Sequence, residues 1–212
     1  MGTDNREAAL LDLDGTLVDS VYHHVLAWGD ALHAKGYDVP LWRIHDGIGM
    51  GGQRLLPWLL GGHVPDAQEL SDDHERRFLD RAGDLRVTLG ARELIEDLQV
   101  RKVPFVIATS ASADVRKALM ETLDCGDLPT TDADDVGSPK PAPDLLVAAC
   151  QALNVAASNA LLVGDSPWDA YAAGRAGISV FAVRTGGFGE DALRQAGALD
   201  VVHHPRDLIG RL

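Results

Sequence analysis

Two aspartates one residue apart, Asp12 and Asp14, end a continuous apolar run from Ala8 to Leu11, a placement that suits chemistry. Apolar residues without alternation read as a central strand covered on both faces, and Gly15 allows a sharp turn at its carboxyl end. Side chains two apart on a strand point the same way, so both carboxylates could grip one divalent cation; without one they repel. As an isolated match, Asp-x-Asp-Gly is equally a polar turn closing a strand. Three later stretches could join it. Residues 108–112, Ala-Thr-Ser-Ala-Ser, put small hydroxyls between a strand and a helix whose first-turn amides can take an anion, with helix capping as the alternative use. Lys140 stands between prolines, which stiffen the backbone that aims it, and follows an acidic stretch holding Asp124, Asp127, Asp132, Asp134 and Asp135. Residues 161–169, Leu-Leu-Val-Gly-Asp-Ser-Pro-Trp-Asp, form a second strand-to-turn site with Asp165 at the strand end; Asp169 also fits a helix-start acid.

The elements that must position these groups follow a rhythm. From Val87 onward, helices are expected over Glu93–Val100, Ala113–Leu123, Pro143–Leu153 and Asp169–Ala176, and strands over Pro104–Ala108, Ala160–Val163 and Val180–Val183. Alternation of this kind predicts an α/β fold: a doubly wound, Rossmann-like parallel sheet with right-handed crossovers and a ligand site beyond the strands' carboxyl ends. Residues 19–86 break the rhythm with helices over Tyr22–Lys35, Gly52–Leu60 and Ala67–Ala82 and no intervening strand. They read as an inserted α-helical cap, so that 1–18 and 87–212 form the catalytic core and 19–86 the cap, with a hinge near Val18–Asp19 and Arg86–Leu89. The glycine-rich run Asp46-Gly-Ile-Gly-Met-Gly-Gly is expected to be a cap loop.

With 212 residues, 46% of them hydrophobic, the chain can bury a proper core. Its 19 lysines and arginines against 32 acids give a net charge of −13, which argues against nucleic acid or an anionic membrane as partner. An anionic substrate must therefore be attracted locally. Cys125 and Cys150 have no metal-type spacing and read as small core hydrophobes, and no apolar run is long enough to span a bilayer, so a cytoplasmic location is expected. The oligomeric state is not legible. His203 and His204 lack a third suitable ligand for zinc, and His23 and His45 read as packing or surface residues, as does Trp168 unless it contacts a lid.

The string Asp-Leu-Asp-Gly-Thr-Leu-Val-Asp-Ser at 12–20 resembles the first signature of the haloacid dehalogenase-like superfamily. The hydroxyl cluster, the lysine string and the Asp165 turn resemble its second, third and fourth motifs, in order. The resemblance covers the chain outside the cap. It implies a magnesium-dependent phosphatase acting on a small phosphate monoester, with Asp12 as nucleophile and Asp14 as acid/base. Ser110 would be the second-motif hydroxyl, with Thr109 the alternative, and Lys140 would bind the phosphoryl group. Asp12, Asp165 and the Asp14 backbone carbonyl would hold Mg²⁺, supported by Asp169, Gly15 and Thr16. Thr109, Ala111, His24, Gly49 and Arg54 are possible substrate contacts. Dehalogenation is disfavoured, because dehalogenases of the superfamily lack the second aspartate. A sugar phosphomutase is the runner-up: Asp19 to Trp28 is similar to β-phosphoglucomutase, His24 and Trp28 falling on family positions. There, however, a cap arginine grips the second phosphate, and here Met50 stands at the comparable position, leaving Arg54 or Arg43 to substitute. A non-catalytic phospho-ligand binding protein on the same scaffold is the third reading.

Overall fold

The computed structural model describes residues 7–132 and 140–212. Asp134, Asp135 and the residues from 137 to 139 lie outside them. Six strands make one parallel sheet: β1 (Ala8–Leu11), β4 (Phe105–Thr109), β5 (Thr130–Asp132), β6 (Ala160–Gly164), β7 (Ser179–Val183) and β8 (Asp200–Val202), in the order β5-β4-β1-β6-β7-β8. β1 is central, with Leu10 opposite both Val106 and Leu162, so its backbone is paired on both edges and its side chains are buried on both faces. Ala9 and Leu11 feed one hydrophobic cluster and Leu10 the other. This two-sided burial explains why the strand sequence is uniformly apolar.

Helices α5 (Ala91–Arg101), α6 (Ala113–Leu123), α7 (Asp144–Leu153), α8 (Pro167–Ala176) and α9 (Glu190–Ala196) flank the sheet. Leu94, Ile95 and Leu98 of α5 join Leu119 and Leu123 of α6 over one face. Leu146 and Ala149 of α7, Ala170 and Ala173 of α8 and Leu193 of α9 cover the other. The doubly wound architecture expected from the alternation is present, and the expected helices and strands occur with ends shifted by a few residues at most.

The inserted cap is helical: α1 (Val21–Ala34), α2 (Leu41–Gly47), α3 (Gly52–Leu60) and α4 (Ala67–Leu79), with their own core of Trp28, Leu32, Ile44, Leu55, Leu59 and Leu70. The chain enters and leaves this layer through a two-stranded antiparallel pair, β2 (Val18–Asp19) with β3 (Arg86–Val87). Elements absent from the sequence reading include α2, β5, α9 and the strands β2 and β3, where only a hinge was expected. In α2 the structure corrects the loop expected from Asp46: Asp46 and Gly47 close a short helix, and the loop proper is confined to the residues before α3. Ile44, fully buried, pins that helix to the cap core.

Candidate active site

Four segments converge at the carboxyl ends of β1, β4 and β6. Beyond Leu11, β1 gives way to a loop in which Gly15 has φ +72°, and Asp14 pairs across that loop with Val18. Strand alternation therefore stops at Leu11, and the two aspartates part. Asp12 turns toward Lys140, whose Nζ donates to its Oδ1 at 2.5 Å and to Asp169 Oδ1 at 2.6 Å. Asp14 turns the other way and accepts at Oδ1 from Ser20 Oγ at 2.8 Å, with His24 Nε2 at 2.9 Å. The expectation that both side chains grip one ion is thus corrected. The carboxylates that come together are those of Asp12, Asp165 and Asp169, with one oxygen from each within 4.8 Å of the others.

Each of these floor residues is held. Asp12, Lys140, Asp165 and Asp169 are all 5% exposed or less. Thr16 Oγ1 donates to Asp165 Oδ1 at 3.0 Å and lies 3.4 Å from Asp12 Oδ2, tying the first loop to the last. Asp169 Oδ2 accepts from the backbone N–H and hydroxyl of Ser166, and the hydroxyl caps α8 in return. The acid at the start of α8 is therefore both cap and site residue. Gly15 and Gly186 close over Asp165 Oδ2, which a Cβ at either position would meet at 2.4 or 1.8 Å. Thr88 Oγ1, donating to the Thr16 carbonyl at 2.7 Å, braces the same loop from just past β3.

Burying three acids around one amine has a clear electrostatic signature. Burial pushes the Asp12 carboxyl up to about 7 despite the pull of Lys140. Burial, then Asp169 and Asp12, push Asp165 well above the ordinary carboxylate range. Burial also opposes the Lys140 charge, but Asp12 and Asp169 outweigh it and hold the ammonium well above the ordinary lysine range. Asp14 moves the opposite way: burial acts to raise it, and His24 together with Ser20 brings it below the carboxylate range. Three buried acids against one amine form an oxygen-only donor set whose surplus negative charge suits a hard divalent cation such as Mg²⁺.

Above this floor is a cavity of about 220 Å³, with Asp12, Asp14, Lys140, Asp165 and Asp169 at its base. Ser110 and Ala111 line it. Thr109 does not: it is buried, and its Oγ1 accepts from the Ala111 N–H at 3.1 Å, so the alternative hydroxyl is occupied in its own turn. Ser112 stands at the start of α6 without a side-chain capping bond, and it also faces the cavity. Gly49, Met50, His24 and Trp28 line the cap side. Arg54 is a correction, being exposed on α3 outside the cavity, and Arg43 lies over the Trp58 ring. His45 and Trp168 bridge cap and core, His45 Nε2 to the Gly186 carbonyl at 2.8 Å and Trp168 Nε1 donating to the Asp46 carbonyl at 2.9 Å.

Comparison with known proteins accounts for this arrangement. Residues 7–177 match the family model of haloacid dehalogenase-like hydrolases. The chain belongs to this family. It is 34% identical over 184 residues to validoxylamine A 7'-phosphate phosphatase of Streptomyces hygroscopicus subsp. limoneus, covering 81% of this chain and 83% of that one. It is 31% identical over 191 residues to phosphoglycolate phosphatase of Nitrosospira multiformis, covering 85% and 84%. A crystal structure of a hydrolase from Pseudomonas syringae superposes with a TM-score of 0.93 at 34% identity, covering 97% of both chains. As a haloacid dehalogenase-like hydrolase, the chain carries its four motif segments in the family's order around one cavity.

Sequence reasoning missed Ser20, Ser71, His74 and Glu75. Ser20 sits in the first-motif string, where its spacing to Asp14 was a usable signal. His74 meets His24 Nδ1 at 3.0 Å and stacks on Trp28 at 4.1 Å; burial, then His24, hold it well below the usual imidazole range. Nothing in the polar run around it distinguishes it from a solvated residue.

Proposed function

We propose that this hydrolase is a magnesium-dependent phosphatase that cleaves a small-molecule phosphate monoester through an aspartyl-phosphate on Asp12. The observation that carries the reading is the convergence of Asp12, Lys140, Asp165 and Asp169 within hydrogen-bonding or ligating distance at the base of one cavity. Asp12 and Asp165, with the Asp14 backbone carbonyl, would hold Mg²⁺, and Asp169 would fix Lys140 beside it. Bound there, the ion supplies neutralising charge to the phosphoryl oxygens and keeps its ligands ionised.

This chain's residues supply the rest. Asp12 attacks phosphorus, and the bond to the leaving alcohol oxygen breaks as the bond to Asp12 forms. Lys140 lowers the repulsion between the carboxylate and the phosphate, while Ser110 and the free amides opening α6 take phosphoryl oxygens. Asp14 protonates the departing alcohol and then takes a proton from the water that cleaves the aspartyl-phosphate. Its hold by His24 and Ser20 favours the ionised form needed for that second half-reaction. An arriving phosphate adds negative charge beside it and raises its proton affinity, the direction the first half-reaction needs.

Hydrolysis is favoured over mutase chemistry because Met50 lines the cap side and no arginine lines the cavity among the described residues. Residues 19–86 would act as a cap swinging on the β2–β3 pair. The test is Asp12→Asn assayed with an aryl phosphate and Mg²⁺: phosphate release falls to background while the circular dichroism spectrum is kept. Near-normal turnover in that variant overturns the reading.

A further inference from the structure

Glu75 faces the cavity, yet the chemistry above does not use it. It lies on α4 with Ser71 and His74, and the i, i+3 and i+4 spacing puts all three side chains on one helix face, which lines the cavity. Glu75 is half-buried, also borders an open surface depression with Asp72, Arg76, Leu79 and Asp80, and makes no hydrogen bond or ion pair among the described residues. Neighbouring charges are taken: Arg76 and Arg77 both bind Asp73, and Lys35 binds Glu69. Lys140 is the one lysine or arginine lining the cavity among the described residues, and it is committed to the floor. The two imidazoles that line the cavity, His24 and His74, bond each other, and His24 also bonds Asp14.

Among the described residues, the cap side of the cavity therefore offers a leaving group one unpartnered anion, the Ser71 hydroxyl as an acceptor, its proton being donated to the Ala67 carbonyl at 2.8 Å, and apolar surface from Met50 and Leu55, with no lysine or arginine. A second carboxylate or phosphate on the substrate would sit near Glu75 uncompensated, whereas hydroxyls would donate to it. The volume of about 220 Å³ lies below the range of roughly 300–1,000 Å³ that holds larger ligands, which suits a monosaccharide-sized group.

We infer that the substrate is a phosphate monoester of a polyhydroxylated, non-anionic alcohol, with Glu75 accepting hydrogen bonds from its hydroxyls; this rests on the phosphatase reading. Glu75 determines specificity and takes no part in bond breaking.

The experiment measures kcat and KM with Mg²⁺ for a hexose monophosphate, a hexose bisphosphate, phosphoglycolate and an aryl phosphate, in the full chain and in Glu75→Gln and Glu75→Lys. Neither substitution removes a hydrogen bond or ion pair among the described residues, and circular dichroism checks that both variants keep the fold. The hexose monophosphate is expected to exceed phosphoglycolate and the bisphosphate in kcat/KM by about tenfold or more, as one unmatched polar group in a binding site commonly costs. Glu75→Gln raises KM for the hexose ester more than for the aryl ester, and Glu75→Lys shifts preference toward phosphoglycolate. Aryl turnover with phosphoglycolate or the bisphosphate matching the hexose ester overturns this inference alone, as does a Glu75→Gln variant whose KM values all move alike. Absence of phosphate release from every ester, the aryl one included, overturns the phosphatase reading and this inference with it.

Discussion

The floor of the cavity and its cap wall hold their charges in different ways. On the floor, Asp12 meets Lys140, Asp165 meets Thr16, and Asp169 meets both Lys140 and Ser166, all nine-tenths buried or more. On the wall, Glu75 has no hydrogen-bond or ion-pair partner among the described residues, and Met50 and Leu55, which line the same cavity, are apolar. Attack on an anionic phosphate requires groups aligned before the substrate arrives, since freedom left in the reacting groups is lost rate. A leaving group needs only complementary charge and shape, which a few cap side chains supply. Under the proposed function, the core would set the reaction and the cap would choose the ester.

Breaking the floor is expected to have the largest effect. Lys140→Met removes the one ammonium found among the buried acids in the described residues, leaving Asp12 and Asp169 without their ion-pair partner. The expected outcome is a loss in kcat/KM of the order of a thousandfold or more for every ester alike, together with a lower melting temperature. A selective loss confined to sugar esters would blur the distinction between floor and wall.

The electrostatics of the floor give the next test. Because burial raises Asp12 and Asp165 in the folded chain above their unfolded values, the folded state binds more protons than the unfolded state between about pH 4 and pH 7. With Mg²⁺ chelated, these two groups make stability fall as pH rises through that window, by a few kcal/mol in order of magnitude. Adding Mg²⁺ at pH 8 is expected to restore it. Asp14, lowered by His24 and Ser20, has the opposite sign, and its contribution is lost only below the ordinary carboxylate range. Thermal melts in chelator from pH 5 to pH 8, with and without Mg²⁺, check both points; a melting temperature that rises with pH in the chelated protein contradicts the assignment.

Smaller still is the contact between the two regions. Trp168→Phe removes the indole N–H that meets the Asp46 carbonyl while keeping an aromatic ring against Trp58. Its expected cost is about 1 kcal/mol of stability, with the order of ester preferences unchanged. A reordered preference would show that the wall's specificity depends on this cap-to-core contact.

The floor was legible in the sequence to a degree the wall was not. Asp12, Lys140 and Asp165 each stand at a strand end or between prolines, where a charged residue after an apolar run is locally conspicuous. Parallel-sheet topology then brings such ends to one edge. What local strings could not supply is direction: Asp14, two residues from Asp12, turns to Ser20 and His24 because the strand ends at Leu11 and Gly15 turns the chain. Glu75 was invisible for a related reason. It lies within Ser71 to Arg77, a run polar at every position, and which face of α4 looks inward is decided by packing of Leu70 and Phe78 into separate hydrophobic clusters. The helix α2 was masked by the glycines that follow it, since only its burial of Ile44 in the cap core marks it as ordered helix.

The most direct test of the floor's role is to acid-quench the full chain during turnover of an aryl phosphate with Mg²⁺ and map the phosphoryl group by peptide mass spectrometry. The account predicts a hydroxylamine-labile phosphoryl group on Asp12, absent in Asp12→Asn. Phosphoryl transfer to any other residue, or full turnover with none trapped on Asp12 under quench conditions that preserve acyl phosphates, would contradict it.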